Sequence, residues 1–149
     1  MSRDTSTGKV FEQIVLPALD HAGYRYQTQV YIGDKPNNRK HIVDLVIEAI
    51  DHKIIVSKKW QQSGGTAEEK IPFEVIMLAR ACQEFNYKKA YLVLGGTDHN
   101  IKTSTQGWTL RQWYLSGELQ DWIDYQQWVE IITSDAFIAA NSNLKCNRF

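Results

Sequence analysis

Between Ile42 and Trp60 the chain reads IVDLVIEAIDHKIIVSKKW, two runs of β-branched and aliphatic residues joined by little more than Asp51-His52. Runs this apolar and this closely joined are expected to pair as antiparallel strands, which gives their backbone donors and acceptors a ladder. Side chains alternate along a strand, so Ser57, Lys59 and Gln61 share one face while Ile54, Val56 and Trp60 share the other. Burying an ammonium beside aliphatic residues is costly, so the polar face of the second run demands a reason. Pairing across the short turn sets Val46 to Glu48 opposite Ile54 to Val56. Asp44, which interrupts the first run, then falls near Ser57 to Lys59, one strand over.

The rest of the chain supplies the frame. DTSTGKVFEQIVLPALDHAGY reads as a helix capped at Thr5, Ser6 or Thr7, with Val10, Ile14 and Leu16 in its core face and Gly23 as its stop. YRYQTQVYI is a strand and GDKPNNRKH a turn, so the first three strands form a meander. TAEEKIPFEVIMLARACQEF is a helix with Thr66 as its cap and Glu68 and Glu69 at the positive end of the helix dipole. KAYLVLGG is a buried strand. GWTLRQWYLSGELQDWI is helical, with Trp108, Trp113 and Trp122 packing inward. WVEIIT is a last strand, and SDAFIAANSN a helix capped by Ser134. The expected fold is α/β, a mixed β-sheet flanked by helices, in one domain spanning residues 1–149.

Bulk properties narrow the function class. The 17 basic and 17 acidic residues cancel, so any nucleic-acid surface has to come from local clustering rather than net charge. No secretory h-region or long apolar run appears, which points to a cytoplasmic protein with no membrane partner. Cys82 and Cys146 lack CxxC spacing and read as reduced thiols, not zinc ligands.

Asp44 and Lys59, brought together from two apolar strands, have two readings: a structural ion pair at a sheet end, or a metal-dependent phosphodiesterase centre. In the second, the carboxylate holds a hard cation and the lysine stabilises an attacking hydroxide or the charge growing on phosphorus. The hairpin tip, with Lys35, Asn37, Asn38, Arg39, Lys40 and His41, leads straight to Asp44. A two-stranded ribbon of this kind is able to enter a major groove, where Arg and Lys read guanine and Asn reads adenine. Ser63 lies in the SGGT turn ahead of a helix N-terminus, a place for a phosphate, and Lys102 lies in a second polar loop, TDHNIKTST.

An aspartate on one strand followed after a hairpin by an X-Lys ending on the next resembles the PD-(D/E)XK nuclease superfamily, with its restriction-endonuclease-like fold. The longer string SKKWQQSGGTAEEKIPFE, with GKVFEQIVLPAL and QVYIGDKPNNRKHIVDLVI before it, is similar to intron-encoded homing endonucleases of that fold. The resemblance implies that Asp44 binds metal and Lys59 is the active-site lysine. Ser57 stands where the superfamily usually has Glu or Asp, so one carboxylate of the metal site must come from elsewhere. Glu12, on the first helix, matches a place where the superfamily often adds a glutamate. Glu74 is the alternative, although Phe73 and Val75 on either side argue for a helix-surface role. The Lys58 carbonyl is a further metal ligand, and Gln61 orients water or phosphate.

The function implied is a Mg²⁺-dependent (or Mn²⁺-dependent) site-specific double-strand DNA endonuclease of the homing type, DNA-associated in the cytoplasm. Two strands to cut imply a homodimer or homotetramer. A structure-selective junction, repair or nicking nuclease, or a DNA-binding protein that has lost catalysis, are the alternatives.

Overall fold

The computed structural model describes residues 2–61, 67–96, 98, 102–103 and 107–142, with side chains over 12–60, 68–96, 98, 102–103 and 107–140. Five strands make one sheet: β1 (Arg25–Asp34), β2 (Lys40–Glu48), β3 (Lys53–Gln61), β4 (Lys89–Gly96) and β5 (Val129–Thr133). They lie in sequence order, with β1, β2 and β3 antiparallel and β3, β4 and β5 parallel. The parallel steps need crossovers. The first is α2 (Ile71–Phe85), and the second carries the short α3 (Arg111–Leu115). The chain begins with α1 (Ser2–His21) and the described part ends with α4 (Ser134–Ser142).

Helices cover both faces. Ile71, Val75, Leu78 and Cys82 of α2 pack with Ile55, Leu92 and Leu94 on one side, joined by Trp108, Tyr114 and Tyr125. Val15 and Leu19 of α1 and Phe137 of α4 pack with Ile54, Val56, Tyr91 and Val93 on the other. Strands β3 and β4 are apolar on both faces because both are covered, as parallel central strands are. This is the restriction-endonuclease-like arrangement expected from the sequence.

Several local expectations are corrected. The first helix starts at Ser2, so Thr5, Ser6 and Thr7 lie within it rather than capping it, and it runs on through Pro17. Ile14 is exposed; among the described side chains of α1, Val15 and Leu19 are buried and Leu16 packs partly buried against the same core, while the Val10 side chain lies outside the described residues. A 3-10 turn, Ala67–Lys70, precedes α2, which places Pro72 in the first helical turn, where a missing N–H has no partner to lose. Gly117, at φ +87°, divides the tryptophan-rich region into α3 and a separate 3-10 turn, Glu118–Asp121. Trp122 in that region is 78% exposed, whereas Trp108 is fully buried. The Thr66 cap lies outside the described residues.

Candidate active site

Strand β2 changes face at Asp44. Val43 packs into the α2-side core, yet Leu45 packs into the α1-side core, where strict alternation would keep them together. The ladder to β1 runs through Thr28↔Leu45 and Val30↔Val43, and Gln29 between them takes φ +54°. A local irregularity of this sort re-aims a side chain at a strand's end. The re-aimed carboxylate accepts the Lys58 backbone N–H at 2.7 Å. The β2–β3 ladder accordingly stops at Leu45↔Val56, while β3 continues beside β4 as far as Gln61↔Gly96. Above Leu45 and Val56 the sheet is split.

The split is lined from α2. Ser57 is buried and donates its Oγ–H to Glu74 Oε2 at 2.8 Å. His41, buried at 3% exposure on β2, sets its Nε2 3.1 Å from the same oxygen. An ionised carboxylate only accepts, so Nε2 carries the proton. Glu74 itself is 6% exposed. The helical spacing explains its position. Ile71, Glu74, Val75 and Leu78 form one inward stripe at i, i+3, i+4 and i+7, while Phe73 and Ile76 face out.

Electrostatics tie these groups together. Burial pushes the Asp44 carboxyl up. The Lys58 N–H and the charges of Lys58 and Lys59 oppose that, Glu74 adds to it, and the net result stays above the usual range. Burial also pushes Glu74 up. There the His41 hydrogen bond, the Lys59 and His41 charges and the Ser57 hydrogen bond together win, and the carboxyl sits below its usual range. Lys59 therefore acts on both acids, but among the described residues it is engaged in no ion pair. The end of β3 just beyond it is pinned. The Trp60 ring lies against Gly95, where a Cβ would come within 2.2 Å of it, and Trp108 Nε1–H donates to the Gly95 carbonyl.

Asp44 at the Lys58 N–H and Glu74 at the Ser57 hydroxyl bring two carboxylates to neighbouring positions of β3, and carboxylate oxygens are the ligands a hard divalent cation takes. No group of three or more His, Cys, Asp and Glu side chains poised to hold a metal occurs among the described residues.

The structure thus assembles Asp44, Ser57 and Lys59 with Glu74, which the sequence reading ranked as a surface residue, and with His41, which it placed at the DNA-reading tip. Both expectations are corrected by burial. The buried stripe of α2 and the inward register of His41 and Val43 are the signals that find them. Glu12 is exposed on α1, which packs against the opposite face of the sheet from α2. Ser63 and the Gln61 side chain lie outside the described residues.

At the hairpin, Asn37, Asn38, Arg39 and Lys40 are exposed and Lys35 is half-buried. Asn37 Oδ1 accepts the Arg39 backbone N–H at 3.1 Å, and Asn38 takes φ +65°. These two asparagines build the turn. Lys40 Nζ sits 5.5 Å from the Tyr31 ring centroid. Lys102 is exposed in its loop.

Residues 3–144 match the model of a family described as the PD-(D/E)XK nuclease superfamily domain. The chain belongs to the PD-(D/E)XK nuclease superfamily. A comparison with curated proteins returns no match. Two solved structures resemble this PD-(D/E)XK domain at low identity. One is a protein of unknown function, AF1548, at 10% identity and TM-score 0.48, over 93% of this chain and 71% of that one. The other is the small subunit (R.BspD6I2) of the heterodimeric restriction endonuclease R.BspD6I, at 17% identity and TM-score 0.48, over 93% and 69%. No described helix of the superfamily member is long and apolar enough to cross a membrane.

Proposed function

We propose that this PD-(D/E)XK protein is a divalent-metal-dependent DNA endonuclease whose second acidic ligand is Glu74. The observation that carries this reading is the Ser57–Glu74 hydrogen bond. It brings a helix carboxylate to the strand position where the superfamily's own acid is missing. The departure at Ser57 therefore no longer favours a protein that has lost catalysis. Asp44, Glu74 and the main-chain carbonyl of Lys58 would hold the ion, and Mg²⁺ or Mn²⁺ suits such oxygen ligands. A divalent ion bound there supplies charge neutralisation at the phosphate and acidifies water. The Lys58 N–H fixes the Asp44 carboxylate. Lys59 places a positive charge beside the attacking hydroxide and the negative charge that builds on phosphorus. Glu12 then has a peripheral part or none.

The exposed tip from Lys35 to Lys40 is the DNA-reading element, with Arg39 as its base-reading side chain and Lys35 and Lys40 on the backbone. Lys102 and the loop containing Ser63 are further backbone contacts. In its finest form the proposal is site-specific double-strand cleavage of the homing type by a homodimer or a homotetramer built from such dimers. The likeness of SKKWQQSGGTAEEKIPFE to that group supports it.

The test is purified protein with Mg²⁺ or Mn²⁺ on a randomised linear duplex library and on four-way junctions, with product ends sequenced. Cleavage of a defined subset of linear duplexes is expected. Junction cleavage at any sequence would replace the homing reading with a structure-selective one. Retardation of duplex without any cutting would replace both with a binding protein.

A further inference from the structure

We propose that His41 is a positioning residue that fixes which oxygen of Glu74 faces the metal, an inference that rests on the reading of Glu74 as a ligand. Both hydrogen bonds of Glu74 among the described residues converge on one atom, Oε2: the Ser57 hydroxyl at 2.8 Å and His41 Nε2–H at 3.1 Å. Two donors on a single oxygen pin the carboxylate's torsions and assign Oε2 to the protein. Oε1 is then the oxygen presented to a cation. His41 is well placed to enforce this. It is 3% exposed, it comes from β2 three residues before Asp44, and it reaches α2 across the split in the sheet. It therefore ties the helix that bears one carboxylate to the strand that bears the other. Groups that orient a metal ligand from behind typically change affinity ten- to a hundredfold when removed.

Behind the imidazole a cavity of about 110 Å³, lined by Ile32, Asp34, Met77 and Arg80 among others, separates the β1–β2 hairpin from α2. Glutamine, whose amide N–H also donates, is thus the conservative replacement, and leucine is the replacement that fills space without a donor.

The experiment is calorimetric titration of the full chain with Mn²⁺, without DNA, for wild type, Glu74→Gln, His41→Ala, His41→Gln and His41→Leu. Thermal unfolding of each metal-free protein is recorded alongside. The expected result is Mn²⁺ affinity weakened about tenfold or more in His41→Ala and His41→Leu, and held within about threefold of wild type in His41→Gln. If His41→Ala does not fold, the glutamine–leucine pair decides: equal affinities overturn the proposal. Wild-type affinity in His41→Ala or His41→Leu, with Glu74→Gln weakened, overturns it while leaving Glu74 as a ligand. Unchanged affinity in Glu74→Gln removes both readings.

Discussion

The hydroxyl of Ser57 donates to the carboxylate of Glu74 across 2.8 Å, from a central strand to the helix that follows it. A strand position without an acid and a helix position with one thus meet at a single place beside Lys59. The first expectation is that Glu74→Gln lowers cleavage about 10²-fold or more, as losing a charged transition-state partner does. Ser57→Ala should cost about tenfold, and Glu12→Gln less than about threefold. Moving the acid back, in Ser57→Glu combined with Glu74→Ala, should recover activity above Glu74→Ala alone. Initial rates on one cleaved duplex measure all four. Wild-type rates in Glu74→Gln would exclude the relocated carboxylate.

Lys59 influences both carboxyls without being committed to an ion pair among the described residues. Replacement by methionine should keep the aliphatic stem packed. Cleavage should drop about 10²–10³-fold while DNA affinity stays within a few-fold. Single-turnover rates compared with retardation of the same duplex separate the two. A loss confined to affinity would make Lys59 a phosphate clamp.

Asp44 and Glu74 pull stability in opposite directions with pH. Asp44, held up chiefly by burial, binds its proton more tightly folded than unfolded. Its contribution is therefore present at low pH and is lost as pH rises through its folded value. Glu74 is held low despite burial, by His41, Lys59 and Ser57, so its contribution is present above the unfolded value and lost as pH falls. In a chelator, Asp44→Asn should melt higher than wild type, and the gap should widen as pH rises through the carboxylate range, although the variant no longer cuts. A lower melting temperature at pH 7 would contradict this.

Arg39 is an exposed cation at a turn whose asparagines are occupied in making the turn. Arg39→Ala should relax base preference at one or two positions, at about 1–3 kcal/mol. Lys35→Ala should weaken all sites alike and flatten the salt dependence by about one contact. Selection from a randomised library at two salt concentrations reads both effects. Uniform weakening by Arg39→Ala would assign it to the backbone.

Glu68 stabilises the entry to α3 from a distance in sequence. It accepts the backbone N–H groups of Thr109 and Leu110, at 2.8 and 2.9 Å, and the Thr109 hydroxyl. Glu68→Ala should cost about 1–2 kcal/mol, the scale of a lost helix cap. Burial opposes the charge of Glu68, yet these bonds hold its carboxyl low, so the contribution should vanish as pH falls. Denaturant unfolding at neutral and acid pH measures it.

Most of the frame was legible in the chain. Alternating and continuous apolar runs mark the strands. The turn between β2 and β3 is residues 49–52 rather than the two residues read from the sequence, and it sets Glu48 opposite Lys53, one place off the expected register. It is still short enough to bring Asp44 close to Ser57–Lys59. The tryptophan-rich region misled because Gly117 breaks it and Trp122 turns out to solvent. The immediate neighbours of Glu74, Phe73 and Val75, point it to the surface, but the deciding neighbours on a helix are three and four residues away. His41 follows Arg39 and Lys40 and so reads as part of the basic tip, although strand alternation with Val43 turns it inward.

By itself, the amino-acid order determines which segments are strands and helices, and that an aspartate and a lysine must arrive on neighbouring strands, because both follow from period and turn length. Tertiary structure alone decided that the Glu74 carboxylate of α2 meets Ser57 and that an imidazole stands behind it. Those contacts join residues 17 and 33 positions apart. Local periodicity tells which side of an element is apolar; only the docking of helix on split sheet tells which polar group that side carries into the cleft.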